Sequence, residues 1–396
     1  MTSHVDDATR LTSPLDCRLR ERLRDLALSG LTRAPPRITD RDGVRYRLDG
    51  HPVVCFCSND YLGLADEPAL RAWSAAPVGA GASRLVCGDL TIHRELELEL
   101  ADHLAVEAAM LFPSGFQLNV GVLPALLEST DHVVSDALNH ASLIDGLRLA
   151  KTSCVIVPHL TPPNVPFPPS GLSWWVTEAI FSMDGDCASA PAMCRHLERG
   201  GCLYLDEAHS FGLFPGGRGY AHAMSFQPTV FVGTLGKALG CAGAFVAGTS
   251  TLVTWLKSRV RSFVFSTGVS PLLADRIRTA LTMLRGSLGE QRREQLWHNA
   301  DGLCRALELS PPSSPIIPLH VGANELAMSI AASLVERGFH VQAIRPPTVP
   351  PATARLRVTV SSLHTGQDIE RFAHAVREVF AEHSLVPRRS VCEEPV

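Results

Sequence analysis

The sequence has little excess charge of either sign: 36 basic and 40 acidic residues leave a formal net charge of -4 on 396 residues. A weakly acidic chain of mixed charge is a poor ligand for nucleic acid or an anionic membrane surface, so neither is expected as a partner. No apolar run reaches the roughly 18 residues of a membrane span. The polar start MTSHVDDATRLTSP lacks the apolar core of a secretory signal, so a cytoplasmic protein is expected.

The sequence also lacks the cysteine patterns of disulfide frameworks and zinc sites. Its eleven cysteines are scattered, Cys55 and Cys57 form the only close pair, and neither CxxC nor a Cys/His zinc spacing occurs. We therefore predict reduced thiols that act as small apolar residues, and no metal site.

The length suggests two domains. Short apolar runs alternate with helix-length segments over residues 110–250, which predicts a mostly parallel sheet in an α/β fold. We expect an N-terminal segment (1–50) with an amphipathic helix over Arg18 to Leu28, and a large α/β domain (51–280). A smaller α+β C-terminal domain (281–386) and a tail (387–396) complete the prediction.

An acidic motif follows one of the apolar runs. Cys202 to Leu205 is followed by Asp206, Glu207, Ala208 and His209, and an acid at the carboxyl end of a parallel strand lies where α/β sheets bind ligands. Asp206 could bind a cofactor, or it could simply cap a helix. The letters DEAH also suggest the magnesium-binding acid of an ATPase, but that reading needs a GxxxxGK[ST] phosphate loop, and the sequence has none.

A lysine stands in an unusual setting. Lys237 lies between glycines and apolar residues in Leu-Gly-Lys-Ala-Leu-Gly, after the run VFVGT. Burial lowers the pKa of an amine, and a neutral lysine is the nucleophile that forms a Schiff base with a carbonyl. The alternatives are a lysine that reaches the solvent and one that binds phosphate.

Three more segments carry polar groups where the sheet should open. Ser114 to Asn119 precedes a helix and could hold an anion at the helix N-terminus. His140 follows Asp136 in a polar loop, and Ser182 to Asp186 follows the strand-like run VTEAIF. An anion site, an acid, a ring-stacking group and a buried lysine are together what pyridoxal 5'-phosphate (PLP) requires.

These segments resemble the α-oxoamine synthases, which are PLP enzymes of fold-type I. The resemblance is carried by Asp206-Glu207-Ala208-His209, Thr234-Leu235-Gly236-Lys237 and Ser182-Met183-Asp184-Gly185-Asp186. It extends from Ser58-Asn59-Asp60-Tyr61-Leu62-Gly63-Leu64 to beyond Arg357. Asn139-His140-Ala141-Ser142 and the string Ala343-Ile344-Arg345-Pro346-Pro347-Thr348-Val349-Pro350 resemble the biotin-pathway branch of the family.

The resemblance implies a role for each motif residue. Lys237 would carry PLP and move the substrate's α-proton, Asp206 would pair with the pyridine nitrogen, and His140 would stack on the ring. The other implied cofactor contacts are His209 and Ser182 at the ring, Gly115, Phe116 and Thr234 at the phosphate, and Ser266 and Thr267 reaching the phosphate of a neighbouring subunit. The implied substrate contacts are Asn59 and Arg357 for the amino acid carboxylate, Arg345 and Thr348 for the acyl-CoA, and His140, which would also meet the substrate. Arg33 is the nearest candidate for the family's N-terminal substrate arginine.

The implied reaction is a decarboxylative condensation of L-alanine with pimeloyl-CoA in a homodimer with shared active sites. The alternative is a relative that uses another amino acid or acyl-CoA, such as a glycine C-acetyltransferase-like or secondary-metabolism member. The segments 70–83 and 158–171 are shorter than the family usually shows, which leaves the acyl-chain selectivity open.

Overall fold

The computed structural model describes residues 13–29, 31–32, 34–164, 170–346 and 348–389. Its helices are α1 (Pro14–Leu28), α2 (Thr91–Leu104), α3 (Gly115–Leu126), α4 (Ala141–Ala150), α5 (Ala190–Glu198), α6 (Tyr220–Ala223), α7 (Ser250–Arg259), α8 (Arg261–Val264), α9 (Pro271–Arg285), α10 (Ser287–Ala306), α11 (Asn324–Glu336) and α12 (Gly366–Glu382). Its strands are β1 (Ile38–Asp42), β2 (Arg45–Leu48), β3 (His51–Cys55), β4 (Ala108–Phe112), β5 (His132–Asp136), β6 (Cys154–Val157), β7 (Ser173–Glu178), β8 (Cys202–Asp206), β9 (Val230–Thr234), β10 (Ala244–Gly248), β11 (Ile316–Gly322), β12 (Phe339–His340), β13 (Gln342–Ile344) and β14 (Ala354–Thr359).

The central sheet has seven strands in the order β4-β10-β9-β8-β7-β5-β6. Strands β9, β8, β7, β5 and β6 run parallel, whereas β10 is antiparallel to both of its neighbours. The connection from β9 to β10 is too short for a parallel crossover, so β10 must return alongside β9. The mostly parallel sheet is confirmed, and β4 is an edge strand that the sequence analysis did not predict.

Two smaller sheets form the rest of the fold. Strands β11, β14 and β13 make an antiparallel sheet, and β1, β2, β3 and β12 make another. In the second sheet β3 runs parallel to β12, so the N-terminal hairpin joins the C-terminal part of the chain. Residues 51–55, which the sequence analysis counted with the large domain, therefore pair with the opposite end of the chain. The domain boundaries remain predictions.

The hydrophobic cores follow this division. Phe56 packs between Phe339, Phe372 and the β11–β14 sheet in one cluster. Helix α9 packs instead against α2 and the central sheet through Ala274 and Ile277. The predicted amphipathic helix over Arg18 to Leu28 is confirmed within α1, but none of its residues is buried. Among the described residues, no helix is long and apolar enough to span a membrane.

Candidate active site

The candidate site lies at the carboxyl edge of the central sheet. Glu178, Asp206 and Thr234 are the last residues of the neighbouring strands β7, β8 and β9, and Glu178 is in register with Asp206. Because parallel strands present their carboxyl ends at one edge, three polar side chains reach the same crevice.

Asp206 is buried and held by side chains from other elements. Asn119 on α3 donates from Nδ2 to Asp206 Oδ2 at 2.8 Å, and the backbone N–H of Ala208 donates to Oδ1 at 3.0 Å. Asn119 is itself oriented by the Tyr204 hydroxyl, which donates to its Oδ1 at 2.7 Å. Asn119 belonged to the predicted anion segment, but only the fold reveals that it fixes this carboxylate.

Lys237 lies in the turn between β9 and β10. The turn is closed by backbone hydrogen bonds from Gly240 to Lys237 and from Cys241 to Leu235, both 2.9 Å long. Gly240 has a φ of +65°, and a Cβ there would lie 2.2 Å from the backbone nitrogen of Ala65, so only glycine fits. Burial lowers the pKa of Lys237 to about 8, against the opposing effect of the Asp206 and Glu178 carboxylates.

Glu178 is a second buried acid, and the sequence analysis assigned it no role. Its Oε1 accepts the backbone N–H of His140 at 2.6 Å. Burial and the neighbouring charge of Asp206 raise the pKa of Glu178 to about 8. In the sequence Glu178 lies inside the apolar run VTEAIF, so only the fold shows that the strand ends at this acid.

His140 caps helix α4 with its ring facing the crevice. Its Nδ1 accepts the backbone N–H of Ser142 at 3.2 Å, and Asn119 donates to the Ser142 hydroxyl at 2.9 Å. The ring is exposed and contacts Phe116 edge-on at 6.5 Å between centroids. The part of the imidazole that lies within the crevice is desolvated, which lowers the pKa of His140, and the charge of Asp206 opposes the shift. A neutral ring beside Asp206 and Lys237 can therefore pack flat against a ligand.

A chain of polar contacts links His209 to the C-terminal part of the molecule. His209 Nδ1 lies 2.7 Å from the Tyr61 hydroxyl, which donates to Asn59 Oδ1 at 3.4 Å. Arg357 on β14 donates to the same Asn59 oxygen at 3.1 Å and to the carbonyl of Ser182 at 2.5 Å. Burial and the charge of Lys237 hold the pKa of His209 well below its ordinary value. Tyr61 was not among the predicted site residues.

Arg357 also carries one atom with nothing to bind. Its side chain is buried, and its Nη2 has no hydrogen-bond partner among the described residues. Burying a guanidinium N–H without an acceptor costs folding free energy, and a ligand that accepts its hydrogen bond removes that cost. A carboxylate is the acceptor whose geometry fits a guanidinium best.

The N-terminus of α3 forms another part of the site. Ser114 caps the helix by accepting the Gln117 N–H at 3.2 Å, which leaves the first helical N–H groups directed outward. A Cβ on Gly115 would lie 2.9 Å from Thr234 Cγ2, so these two residues are immediate neighbours. Gln117 also donates to the Ser266 hydroxyl at 2.7 Å, and Thr267 pairs with Ser83.

The remaining predicted residues are less firmly held. Arg345 is half-buried and donates to the carbonyl of Thr32 at 3.3 Å, while Thr348 is exposed. Arg33 lies outside the described residues. Glu207, the second acid of the DEAH string, is buried and accepts the backbone N–H groups of Tyr220 and Ala221 at 2.6 and 2.7 Å. Its carboxylate therefore serves the fold, in contrast to the magnesium-binding alternative.

Comparison with known proteins identifies the family. Residues 51–376 match the family described as aminotransferase class I and II. The chain belongs to this family. It is 40% identical over 380 residues to the 8-amino-7-oxononanoate synthase of Herminiimonas arsenicoxydans, covering 91% of this chain and 98% of that protein.

Solved structures agree with this membership. Serine palmitoyltransferase from S. paucimobilis, bound to PLP and myriocin, has a TM-score of 0.81 and 26% identity, covering 94% of this chain and 99% of that one. An 8-amino-7-oxononanoate synthase from Francisella tularensis has a TM-score of 0.68 at 24% identity, covering 84% and 99%, and shows the shared fold. These comparisons confirm three expectations for this chain: the fold-type I fold, an enzymatic role and PLP as the cofactor.

Proposed function

We propose that this enzyme condenses L-alanine with pimeloyl-CoA and releases 8-amino-7-oxononanoate, CoA and CO2, a step of biotin biosynthesis. The observation that carries the proposal is the near-complete coverage, at 40% identity, by a protein named for making that product. The same name recurs among other relatives at 39% identity over 92–93% of the chain. We further propose that the protein is cytoplasmic, as are the acyl-CoA substrates of such a reaction.

The residues at the sheet edge fit PLP. Gly115 leaves room beside Thr234 that any side chain would fill, and the N–H groups of Gly115 and Phe116 at the positive end of α3 suit a phosphate. Asp206, whose carboxylate is oriented by the Asn119 side chain, is proposed to hold a proton on the pyridine nitrogen. PLP, when bound, supplies an electron sink for a carbanion at the amino acid's α-carbon.

Lys237 is proposed as the group that carries the cofactor and moves the α-proton. Its lowered pKa leaves a usable fraction of the Nζ amine neutral near pH 8, which both tasks require. Asp206 and Glu178 lie close enough to raise that pKa again, so the two acids set how readily Nζ takes up a proton.

The two histidines and Ser182 would complete the ring contacts. The exposed ring of His140 is proposed to stack on the cofactor and meet the substrate. Neutral His209, oriented by Tyr61, is proposed to hydrogen-bond the ring's phenolic oxygen. Ser182 would contact the same end, because its carbonyl already holds Arg357 beside it.

Arg357 and Asn59 are proposed to bind the carboxylate of L-alanine. Two nitrogens of Arg357 are bound to Ser182 and Asn59, which fixes the guanidinium plane, and Nη2 remains to donate to a ligand. Orienting the carboxylate in this way would direct the α-proton toward Lys237. Arg345 and Thr348 are proposed to meet the acyl-CoA, and Arg33 is proposed as a substrate-binding arginine on the resemblance alone.

We propose that the enzyme works as a homodimer whose active sites are shared. Large apolar side chains near the phosphate end are exposed in the single chain, including Leu85, Val86, Phe116 and Phe265. A second subunit that covered them would also bring its Ser266 and Thr267 toward the phosphate. Analytical ultracentrifugation checks the proposal, and a monomer at assay concentrations that is fully active would overturn it.

The testing experiment measures CoA release with every pairing of two sets of substrates. The acyl set is pimeloyl-, acetyl- and succinyl-CoA, and the amino acid set is alanine, glycine and serine. We expect the pimeloyl-CoA and L-alanine pair to give the highest kcat/KM, and 8-amino-7-oxononanoate to be found by mass spectrometry. A higher value for another pair would overturn the biotin assignment while leaving the family unchanged.

The likeness to serine palmitoyltransferase favours a second candidate function. That structure superposes at a TM-score of 0.81, so the same fold also accepts serine and a long acyl chain. The alternative is therefore a related α-oxoamine synthase with another amino acid or acyl-CoA. Palmitoyl-CoA with L-serine should be included in the assay, and activity with that pair alone would establish this alternative.

A further inference from the structure

Three metal-ligand side chains meet outside the candidate active site, in the sheet that joins the two ends of the chain. Cys55 Sγ lies 3.8 Å from Cys57 Sγ, and Cys57 Sγ lies 3.6 Å from His340 Nδ1. All three ligand atoms lie within 4.8 Å of one another. The sequence spacing gave no sign of this cluster, because His340 is far from the cysteines along the chain.

The distances match the edges of a zinc tetrahedron. Zinc binds thiolate sulfur at about 2.3 Å and imidazole nitrogen at about 2.0–2.1 Å, which gives edges of about 3.8 Å between two sulfurs and about 3.6 Å between sulfur and nitrogen. Two of the observed separations therefore already have the lengths that a bound ion would impose. Two thiolates and an imidazole are also the donor set that zinc favours over the hard cations.

The backbone holds these ligands in place. Cys55 and His340 are register partners in the parallel pairing of β3 with β12, and the N–H of Phe56 donates to the His340 carbonyl at 2.7 Å. Cys55 is buried, whereas Cys57 and His340 are half-buried, which leaves a route for a cation. A site assembled by strand pairing needs little rearrangement to bind.

We propose that Cys55, Cys57 and His340 bind one zinc ion through two thiolates and Nδ1, with water in the fourth position. The two thiol protons pass to the solvent as the Zn–S bonds form. The Tyr46 hydroxyl lies 2.5 Å from His340 Nδ1, so binding must break that contact. The ion would tie β3 to β12 two residues before Asn59, and this departs from the expectation of no metal site. The proposal does not depend on the proposed function.

The test uses the reduced, PLP-loaded enzyme and zinc alone. Competition with a chromophoric chelator should reveal one tight zinc per chain. Cys55→Ser and His340→Ala should each weaken zinc binding by more than the roughly 10- to 100-fold that loss of an outer-shell partner costs. Cys194→Ser, which alters a half-buried cysteine on α5, is the matched control and should bind zinc normally.

The variant Tyr46→Phe tests whether the Tyr46 hydroxyl is a zinc ligand or competes with zinc for His340. It removes the hydroxyl contact but keeps the ring, so it should bind zinc at least as tightly as the original chain. Loss of zinc binding in this variant would overturn the three-ligand assignment. Equal zinc binding by the original chain and Cys55→Ser would overturn the site. Circular dichroism and the PLP absorbance verify that each variant is folded. If a ligand variant does not fold, Cys57→Ser takes its place.

Discussion

The floor and the rim of the candidate site are built differently. The floor consists of Glu178, Asp206 and Lys237, on adjacent strand ends and the turn that follows, and its acids accept hydrogen bonds from other elements. The proposed rim consists of Arg345 and Thr348, which lie on a Pro-rich loop and make hydrogen bonds to backbone carbonyls. Chemistry that must be the same for every substrate belongs on the rigid floor, and a rim of this kind can change its selectivity without disturbing it.

The largest effect is expected at Lys237. Lys237→Ala removes the amine that we propose carries the cofactor, so CoA release should fall by about 10⁴-fold or more. The absorption band of the lysine-bound cofactor, which we expect to shift on addition of L-alanine in the original enzyme, should be absent from Lys237→Ala. Lys151→Ala, at one of the chain's three lysines and exposed, is the control and should retain full activity. Substantial activity in Lys237→Ala would contradict the proposal that the floor residues perform the reaction.

Asp206→Asn should reduce kcat by about 10³-fold, because a neutral amide cannot keep a proton on the ring nitrogen. Asn119→Ala should cost less, about 10- to 100-fold, since it removes a hydrogen bond to a charged group worth roughly 1.5–3 kcal/mol. Steady-state CoA release measures both. Asp145→Asn, an exposed acid on α4, is the matched control. An Asn119→Ala enzyme with unchanged kcat would show that Asp206 needs no support from α3.

Arg357 is the residue proposed to bind the substrate carboxylate, so its substitution should appear in KM for L-alanine. Arg357→Lys keeps the charge but loses the planar donor pair, so KM for L-alanine should rise about 100-fold. Arg345→Lys should leave KM for L-alanine unchanged and should raise KM for the acyl-CoA by less than about tenfold. The reason is that an ion pair between a half-exposed arginine and its ligand is worth roughly 1 kcal/mol. If Arg345→Lys affected alanine more than Arg357→Lys did, the assignment of the two arginines would be reversed.

The smallest effect concerns pH. The pKa of Lys237 is lowered from 10.5 to about 8, so the neutral fraction of its amine should rise as pH increases through about 8. The rate at which the cofactor-free enzyme takes up PLP should rise with that fraction. Glu178→Gln removes a negative charge that raises this pKa, so the midpoint should move to lower pH. Stopped-flow absorbance measures the rate. Glu107→Gln, at an exposed acid, is the control, and a midpoint near 10.5 would contradict the proposed environment of Lys237.

Sequence reasoning predicted the floor better than the rim for a physical reason. A buried parallel strand is a short apolar run in the sequence, and an acid directly after it lies at the ligand edge, so Asp206 was found from this local pattern. Lys237 was found from its setting between glycines and apolar residues. Asn119 and Tyr61 could not be found in this way, because their partners Asp206 and His209 are distant along the chain. Glu178 was missed because the apolar run VTEAIF continues past it, so the end of β7 at this acid could not be predicted from the sequence.

The fold was predicted from the same local pattern, with its failures where pairing is nonlocal. The apolar runs that correspond to β7, β8 and β9 were identified from the sequence within a few residues. The pairing of β3 with β12 was not, since nothing in residues 51–55 encodes a partner near residue 340. The cluster of Cys55, Cys57 and His340 depends on that pairing and was missed with it.

The parallel pairing of β3 with β12 also orders events during synthesis. The strands β4 to β10 lie within residues 108–248 and can assemble as soon as that stretch leaves the ribosome. The N-terminal hairpin must wait with one edge unpaired until Phe339 and His340 have been made. A pause in translation before residue 339 would therefore prolong the exposure of an unpaired strand edge, and a chain truncated there should aggregate although Lys237 has already been made.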